Sequence, residues 1–355
     1  MTQVNVTGAK NENEVLFRLG KNMASIILNS PESINSLNVP MVEAITGYLE
    51  EAAKENRCKF ILFCGMGQKG FCAGGDVKDL AKKALAGRHD EVNSFYQKEY
   101  AMDLRVHNFP KPVVVIADGV TMGGGLGIAA GADIVIATER TRMAMPEARI
   151  GFFPDVGATG WLFSRCPEGY PEFLGLTGYE MKGNECVRLG MATHYAGAND
   201  LPLIISLMEN YEHDRRGEAR SADILQMLSP YLSQDPPASR EMDDWVRTYF
   251  AGKSSVKDII DSLRDCREEK KLCADVFTGI AQRSPTALVL TLKLLRHNEG
   301  RPLADVFNAE LKAAEFITRH PDYTEGVRAR LIDKDDKPCW KPDNLEQVRL
   351  AGLEL

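Results

Sequence analysis

The chain has 355 residues, more than the ~250–300 at which a single hydrophobic core stops growing, so one large domain with an appendage, or two domains, are expected. Hydrophobic residues make up 44% and charged residues 26%, the balance of a globular protein, and a net charge of −7 argues against a nucleic-acid-binding surface. No apolar run approaches the ~18–20 residues that span a bilayer, so no membrane partner is expected.

The segment Met1–Thr7 has neither the basic nor the apolar region of a secretory signal. Val15–Arg18 and Met23–Leu28 read as two short strands around the turn Gly20-Lys21-Asn22. Asn38 caps a helix with Pro40 in its first turn and apolar residues at Met41, Ile45, Tyr48 and Leu49. Lys59–Cys64 reads as a buried strand. A glycine-rich stretch follows, then a long helix from Val77 to about His107, interrupted near Gly87-Arg88-His89. Val113–Ala117 is too apolar for a one-sided sheet, and Gly123-Gly124-Gly125 leads into an alanine-rich helix, Leu126–Gly131. Asp133–Ala137 and Arg142–Met145 are the next strands. Strand, glycine turn and helix thus occur twice, which predicts an α/β layer. After about Asp200 strand signals fade, Val256–Asp265 and Leu303–Ile317 carry helical periodicity, and Asp235–Ser239 reads as a linker. A division into 1–200 and a mainly helical 201–355 follows.

The eight cysteines form no CxxC pair and do not sit with histidines at zinc-ligand spacing, so no metal is expected. Reduced thiols packed as small hydrophobes in a cytoplasmic protein are the reading they support.

Gly65–Gly70 spells GxGxxG directly after a strand, but the sequence does not run straight into a helix as a dinucleotide-binding turn should. Gly74-Gly75 and Gly123-Gly124-Gly125 each precede a helix instead. Such turns expose backbone N–H groups to a developing negative charge, and two converging donors make an oxyanion hole. The same glycines also permit tight turns and close helix packing. Downstream, Glu147 ends a predicted strand and Asp155 lies in an apolar, glycine-containing turn. Apolar surroundings raise a carboxylate's pKa, as a general acid or base requires; a strand-end acid and a helix N-cap are the alternative readings.

Phe71–Asp76, Gly119–Gly125 and Ala144–Glu147 occur here in an order that resembles the crotonase (enoyl-CoA hydratase/isomerase) superfamily. Thr121–Gly125, Ile150–Gly157 and the stretches Thr324–Ala329, Leu331–Asp335 and Pro338–Pro342 resemble its 3-hydroxyisobutyryl-CoA hydrolase branch. The resemblance covers roughly Glu14 to Pro342. It implies a crotonase-like core of repeated ββα units, with a helical C-terminal region completing an acyl-CoA pocket. Transferred by position, the amides of Gly75 and Gly124 form the oxyanion hole, with Gly74 and Gly123 beside them and the Ala73 carbonyl near the adenine. Glu147 and Asp155 match the two hydrolase carboxylates, and Glu99 a further substrate-contacting acid. Coenzyme A enters as part of the substrate, with no separate cofactor.

Two departures stand out. Hydratases of the family carry a second glutamate where this chain has Gly127, and water addition needs two opposed acid/base groups. The segment Pro31–Asn38 lacks the basic residue many members place there, leaving Lys78 as the candidate cation for the coenzyme phosphates. The resemblance therefore implies hydrolysis of a short 3-hydroxyacyl-CoA, 3-hydroxyisobutyryl-CoA first, as in valine catabolism. Glu147 then acts either as nucleophile or as the base for a water. An enoyl-CoA isomerase or hydratase on the same scaffold and a non-catalytic CoA-binding subunit are the rival expectations. Trimers, or pairs of trimers, are implied as the assembly.

Overall fold

The computed structural model describes residues 13–212, 220–267 and 269–355, so the reading of Met1–Thr7 lies outside the described residues. The short apolar runs become strands, in chain order β1 (Val15–Leu19), β2 (Met23–Leu28), β3 (Phe60–Gly65), β4 (Gly70–Cys72), β5 (Val113–Ala117), β6 (Val120–Met122), β7 (Ile134–Ala137), β8 (Arg142–Ala144), β9 (Met181–Lys182) and β10 (His194–Tyr195). The helices needed below are α1 (Val39–Lys54), α2 (Val77–Leu85), α3 (His89–His107), α4 (Gly124–Ala130), α5 (Ala158–Arg165) and α6 (Tyr170–Thr177). Strand pairs followed by a helix, β1-β2-α1, β3-β4-α2 and β5-β6-α4, give the repeated ββα pattern.

The chain forms two compact units, neither a continuous stretch. One holds residues 1–74, 105–143 and 181–237; the other holds 75–104, 144–180 and 238–355. The boundary at residue 237 falls inside the Asp235–Ser239 linker candidate.

The first unit contains a sheet of order β1-β2-β3-β5-β7-β10, antiparallel between β1 and β2 and parallel from β2 onward. Parallel strands are covered on both faces, which is why Val113–Ala117 is apolar without alternation and wholly buried. One face packs Phe60, Leu62, Val114, Ile116, Ile134 and Ile136 against Ile204, Met208, Ile224 and Leu228 of two helices, Leu201–Glu209 and Ser221–Leu228. A second sheet has the order β4-β6-β8-β9. Gly65–Gly70 links β3 to β4, strand to strand, as expected of a decoy rather than a nucleotide turn.

The second unit is mainly helical. Arg240–Phe250, Val256–Arg264, Lys270–Ala281, Pro285–Asn298, Leu303–Thr318 and Pro321–Val327 pack with α2, the first four turns of α3, α5 and α6. The expectation of reduced thiols throughout is corrected here. Cys266 and Cys273 form a disulfide, their Cα atoms 6.4 Å apart and so within bridging range. The chain reversal between two packed helices, Val256–Arg264 and Lys270–Ala281, brings them together. Cys58, Cys64, Cys72, Cys166, Cys186 and Cys339 are not disulfide-bonded. Among the described residues no helix is long and apolar enough to cross a membrane.

Candidate active site

Helix α3 buries Val92, Phe95, Tyr96, Tyr100, Met102 and Val106. Tyr96, Glu99, Tyr100 and Asp103 stand at helical spacings of three, four and seven, on one face. Two acids therefore ride on an otherwise apolar stripe. Glu99 is 2% exposed and Asp103 fully buried; Oε1 of Glu99 and both carboxylate oxygens of Asp103 lack hydrogen-bond partners. The rings of this stripe continue into a stack with Phe152, whose centroid lies 5.2 Å from that of Tyr96. Tyr323 closes the cluster, 3.4 Å from the Tyr96 hydroxyl.

Glu147 does not end a strand. Strand β8 stops at Ala144, and Glu147 opens a 3₁₀ turn, Glu147–Ile150, behind Pro146. Gly151, at φ 74°, closes that turn by donating its N–H to the Glu147 carbonyl. A Cβ on Gly151 would collide with the Asp322 carbonyl, and one on Gly326 with the backbone of Ile150. Two glycines thus let the helix Pro321–Val327 lie directly on the turn that carries Glu147. The Glu147 side chain is buried, and its Oε2 has no partner.

Asp155 is not the N-cap of the following helix either. Gly157 occupies that position, at φ 83°, and the capping carboxylate comes from Glu310. Glu310 accepts the Gly157 N–H at 2.6 Å, the Thr159 N–H at 3.1 Å and the Thr159 hydroxyl at 2.5 Å. Asn298 donates to that same hydroxyl oxygen at 2.8 Å. Relieved of capping, Asp155 accepts the Tyr100 hydroxyl at 2.9 Å through Oδ2. Val156 is held at φ 53°, a left-handed conformation that is unusual for a β-branched residue and costs on the order of 1–3 kcal/mol. The Trp161 indole fixes it by donating to its carbonyl at 3.0 Å.

Burial dominates the electrostatics. It raises Glu99, Asp103 and Glu147 well above the ordinary carboxylate range, and Asp155 adds to the effect in each. Asp155 itself is pushed up to about 7 by burial, against the pull of the Tyr100 hydrogen bond. Glu310 is pushed up to about 8 by burial, against three donors that favour its anion. Carboxyls buried this closely cannot all ionise together, so a proton is held among them for acid/base chemistry to use.

Of the residues singled out from sequence, Gly75, Glu99, Glu147 and Asp155 fall in one unit. A Cβ on Gly75 would lie 3.1 Å from the Phe95 ring and 3.8 Å from Glu99 Oε1, so that glycine faces the acid directly. Ala73, Gly74, Gly123 and Gly124 fall in the other. There the Ala73 N–H donates to the Ile34 carbonyl, and Gly74, at φ 94°, would place a Cβ 3.4 Å from the Gly124 nitrogen. Lys78 stands exposed in the first turn of α2.

Sequence reading missed Tyr100, Asp103 and Glu310. Asp103 and Glu310 had a usable signal: each is an acid placed on the apolar stripe of a helix, Glu310 among Val306, Phe307, Ala313, Ala314 and Ile317. Tyr100 had none, since an aromatic at such a position reads as core.

A family model described as enoyl-CoA hydratase/isomerase matches residues 23–354. A 3-hydroxyisobutyryl-CoA hydrolase, mitochondrial, of Danio rerio is 33% identical over 96% of this chain and 88% of its own length. The protein of the same description from Homo sapiens is 31% identical over 96% of this chain and 87% of its own. A solved structure described as a carnitinyl-CoA dehydratase from Mycobacterium thermoresistibile is 31% identical, with a TM-score of 0.85 over 96% of this chain and 95% of that one. This chain belongs to the enoyl-CoA hydratase/isomerase family, in the branch of the 3-hydroxyisobutyryl-CoA hydrolases.

Proposed function

We propose that the chain hydrolyses the thioester of a short 3-hydroxyacyl-CoA, with 3-hydroxyisobutyryl-CoA the first candidate and valine catabolism the setting. The observation that carries this is the pair Glu147 and Asp155. Both are buried, they are electrostatically linked, and one oxygen of Glu147 is unpartnered. Burial pushes Asp155 up to about 7 and holds Glu147 well above the ordinary carboxylate range, so one carboxyl of the pair can accept a proton while the other donates one.

In the reaction an oxygen–carbon bond forms at the thioester carbonyl and the carbon–sulfur bond breaks. The thiolate leaves with a proton, giving a free acid and coenzyme A. Glu147 supplies the attacking oxygen itself, through a mixed anhydride that water then opens, or draws the proton from an attacking water. Asp155 holds the substrate or passes the proton to the leaving sulfur. The amides of Gly75 and Gly124 stabilise the oxyanion, each worth ~3 kcal/mol in comparable sites. Within the first unit the two glycine turns approach each other, since a Cβ added at Gly74 would fall 3.4 Å from the Gly124 nitrogen. Glu99 and Ala73 contact the acyl group and the adenine, and Lys78 a coenzyme phosphate.

A dehydratase or isomerase is the second reading, favoured by the description of the solved relative. Gly127, buried in α4 where that chemistry would need a second carboxylate, speaks against it. Free-thiol release across a panel of saturated, 3-hydroxy and unsaturated acyl-CoAs separates the two, because dehydratases and isomerases leave the thioester intact. Hydrolysis fastest with 3-hydroxyisobutyryl-CoA is expected; thioesters that change without thiol release would overturn the reading.

Cytoplasmic placement and a trimeric or hexameric assembly belong to the same proposal. The cysteines outside the disulfide support the former, the Cys266–Cys273 bridge and the relatives' mitochondrial descriptions oppose it, and cell fractionation decides. Light scattering on the purified chain decides the assembly.

A further inference from the structure

Arg149 and Arg330 come from the Glu147–Ile150 turn and the π-helical turn Arg328–Ile332, which pack together, and Arg283 directly precedes the helix Pro285–Asn298, which also packs on the Glu147–Ile150 turn. Arg149 donates to the Gly178 carbonyl at 3.0 Å and Arg283 to the Thr177 carbonyl at 3.2 Å, consecutive acceptors at the C-terminus of α6. Arg330 reaches the Asp336 carboxylate at 2.6 Å through one nitrogen only. That leaves Nε of Arg283 and both Nε and Nη2 of Arg330 buried with no partner. Arg283 is 7% exposed, Arg330 half-buried and Arg149 exposed.

Among the acids nearby, Asp336 pairs with Arg330, and the others leave the remaining donors of the group unmet. Glu325, Asp333 and Asp335 are all engaged by Arg328. Asp322 accepts the Ser284 hydroxyl at 2.6 Å and the Lys341 N–H at 2.7 Å. Glu180 offsets part of the repulsion felt by Arg149. Burial, then Arg149 and Arg330, push Arg283 down to about 10. Buried guanidinium donors without acceptors are costly unless an anion meets them, and the planar fork of arginine fits tetrahedral oxyanions.

The geometry points to a binding site for a phosphate-class oxyanion, held by the unpartnered donors of Arg283 and Arg330, with Arg149 beside them. The anion is either free phosphate or the 3′-phosphate of a coenzyme-type ligand; the chemistry is shared and the experiment separates the sources. The site does not depend on the proposed thioesterase activity.

The test is titration of the full chain with inorganic phosphate by calorimetry and thermal shift, against chloride at matched ionic strength, for wild type, Arg330→Gln and Arg149→Gln. Saturable binding to wild type, weakened about tenfold or more in each variant, is expected. Displacement of phosphate by coenzyme A but not by 3′-dephospho-coenzyme A assigns the site to the ligand's phosphate; simultaneous binding assigns it to free phosphate. Absence of saturable phosphate binding to wild type, or affinity unchanged in both variants, overturns the proposal. Arg149 is exposed, so its variant keeps the test decisive even where Arg330→Gln unfolds.

Discussion

The Tyr100 hydroxyl donates to Asp155 Oδ2 over 2.9 Å, across 55 residues of sequence. That bond opposes the burial that pushes Asp155 up to about 7. Tyr100→Phe removes the donor, so the Asp155 pKa moves higher still. The limb of the pH–kcat/KM profile set by Asp155 should shift upward by about one unit, with a stability loss of about 1 kcal/mol. An unmoved limb would mean that Asp155 does not set it.

Glu310 caps α5 from 153 residues away, and no local residue substitutes for it. Glu310→Ala leaves the Gly157 and Thr159 donors buried without an acceptor and opens a cavity, a loss of roughly 3–5 kcal/mol. Glu310→Gln keeps one acceptor oxygen and should cost roughly half as much. Chemical denaturation measures both; equal stability of wild type and Glu310→Ala would contradict the capping role.

Asp103 makes the protein pH-sensitive in a definite direction. Its folded pKa is raised well above 3.8, by burial first and then by Glu99, Asp155 and Glu310. The contribution to stability is therefore complete below the unfolded value and is lost as pH rises through the folded one. Asp103→Asn should match wild type near pH 4 and melt higher near pH 9, by an amount on the order of 1–3 kcal/mol. Parallel melting curves across that range would show that Asp103 stays neutral or is solvated.

What the sequence made legible was local. Asn38 caps α1 as read, its side chain accepting the Met41 N–H at 2.9 Å, and Met23–Leu28 and Val113–Ala117 are strands at the bounds expected. The break near Gly87 separates α2 from α3. Strands β4 and β6 span three residues each, too few to show a period. Asp155 and Glu147 were found, but their settings were not: the cap at Gly157 comes from Glu310 and the hydroxyl from Tyr100, pairings set by tertiary packing. The Cys266–Cys273 bridge escaped notice because a seven-residue spacing carries no motif.

Gly326 tests how rigidly the Glu147 turn is held. A methyl there would meet the Ile150 backbone, which cannot rotate away as a side chain would. Gly326→Ala should lose about 2–4 kcal/mol of stability and reduce kcat by displacing Glu147. Unchanged kcat would show that the turn adapts without moving the acid.

Glu147→Gln is the decisive variant for thioester hydrolysis by Glu147. The substitution is nearly isosteric and removes a buried acid, so the melting temperature should hold or rise. Release of free thiol from 3-hydroxyisobutyryl-CoA should fall by about a thousandfold or more. A folded Glu147→Gln variant that releases thiol at close to the wild-type rate would contradict the account.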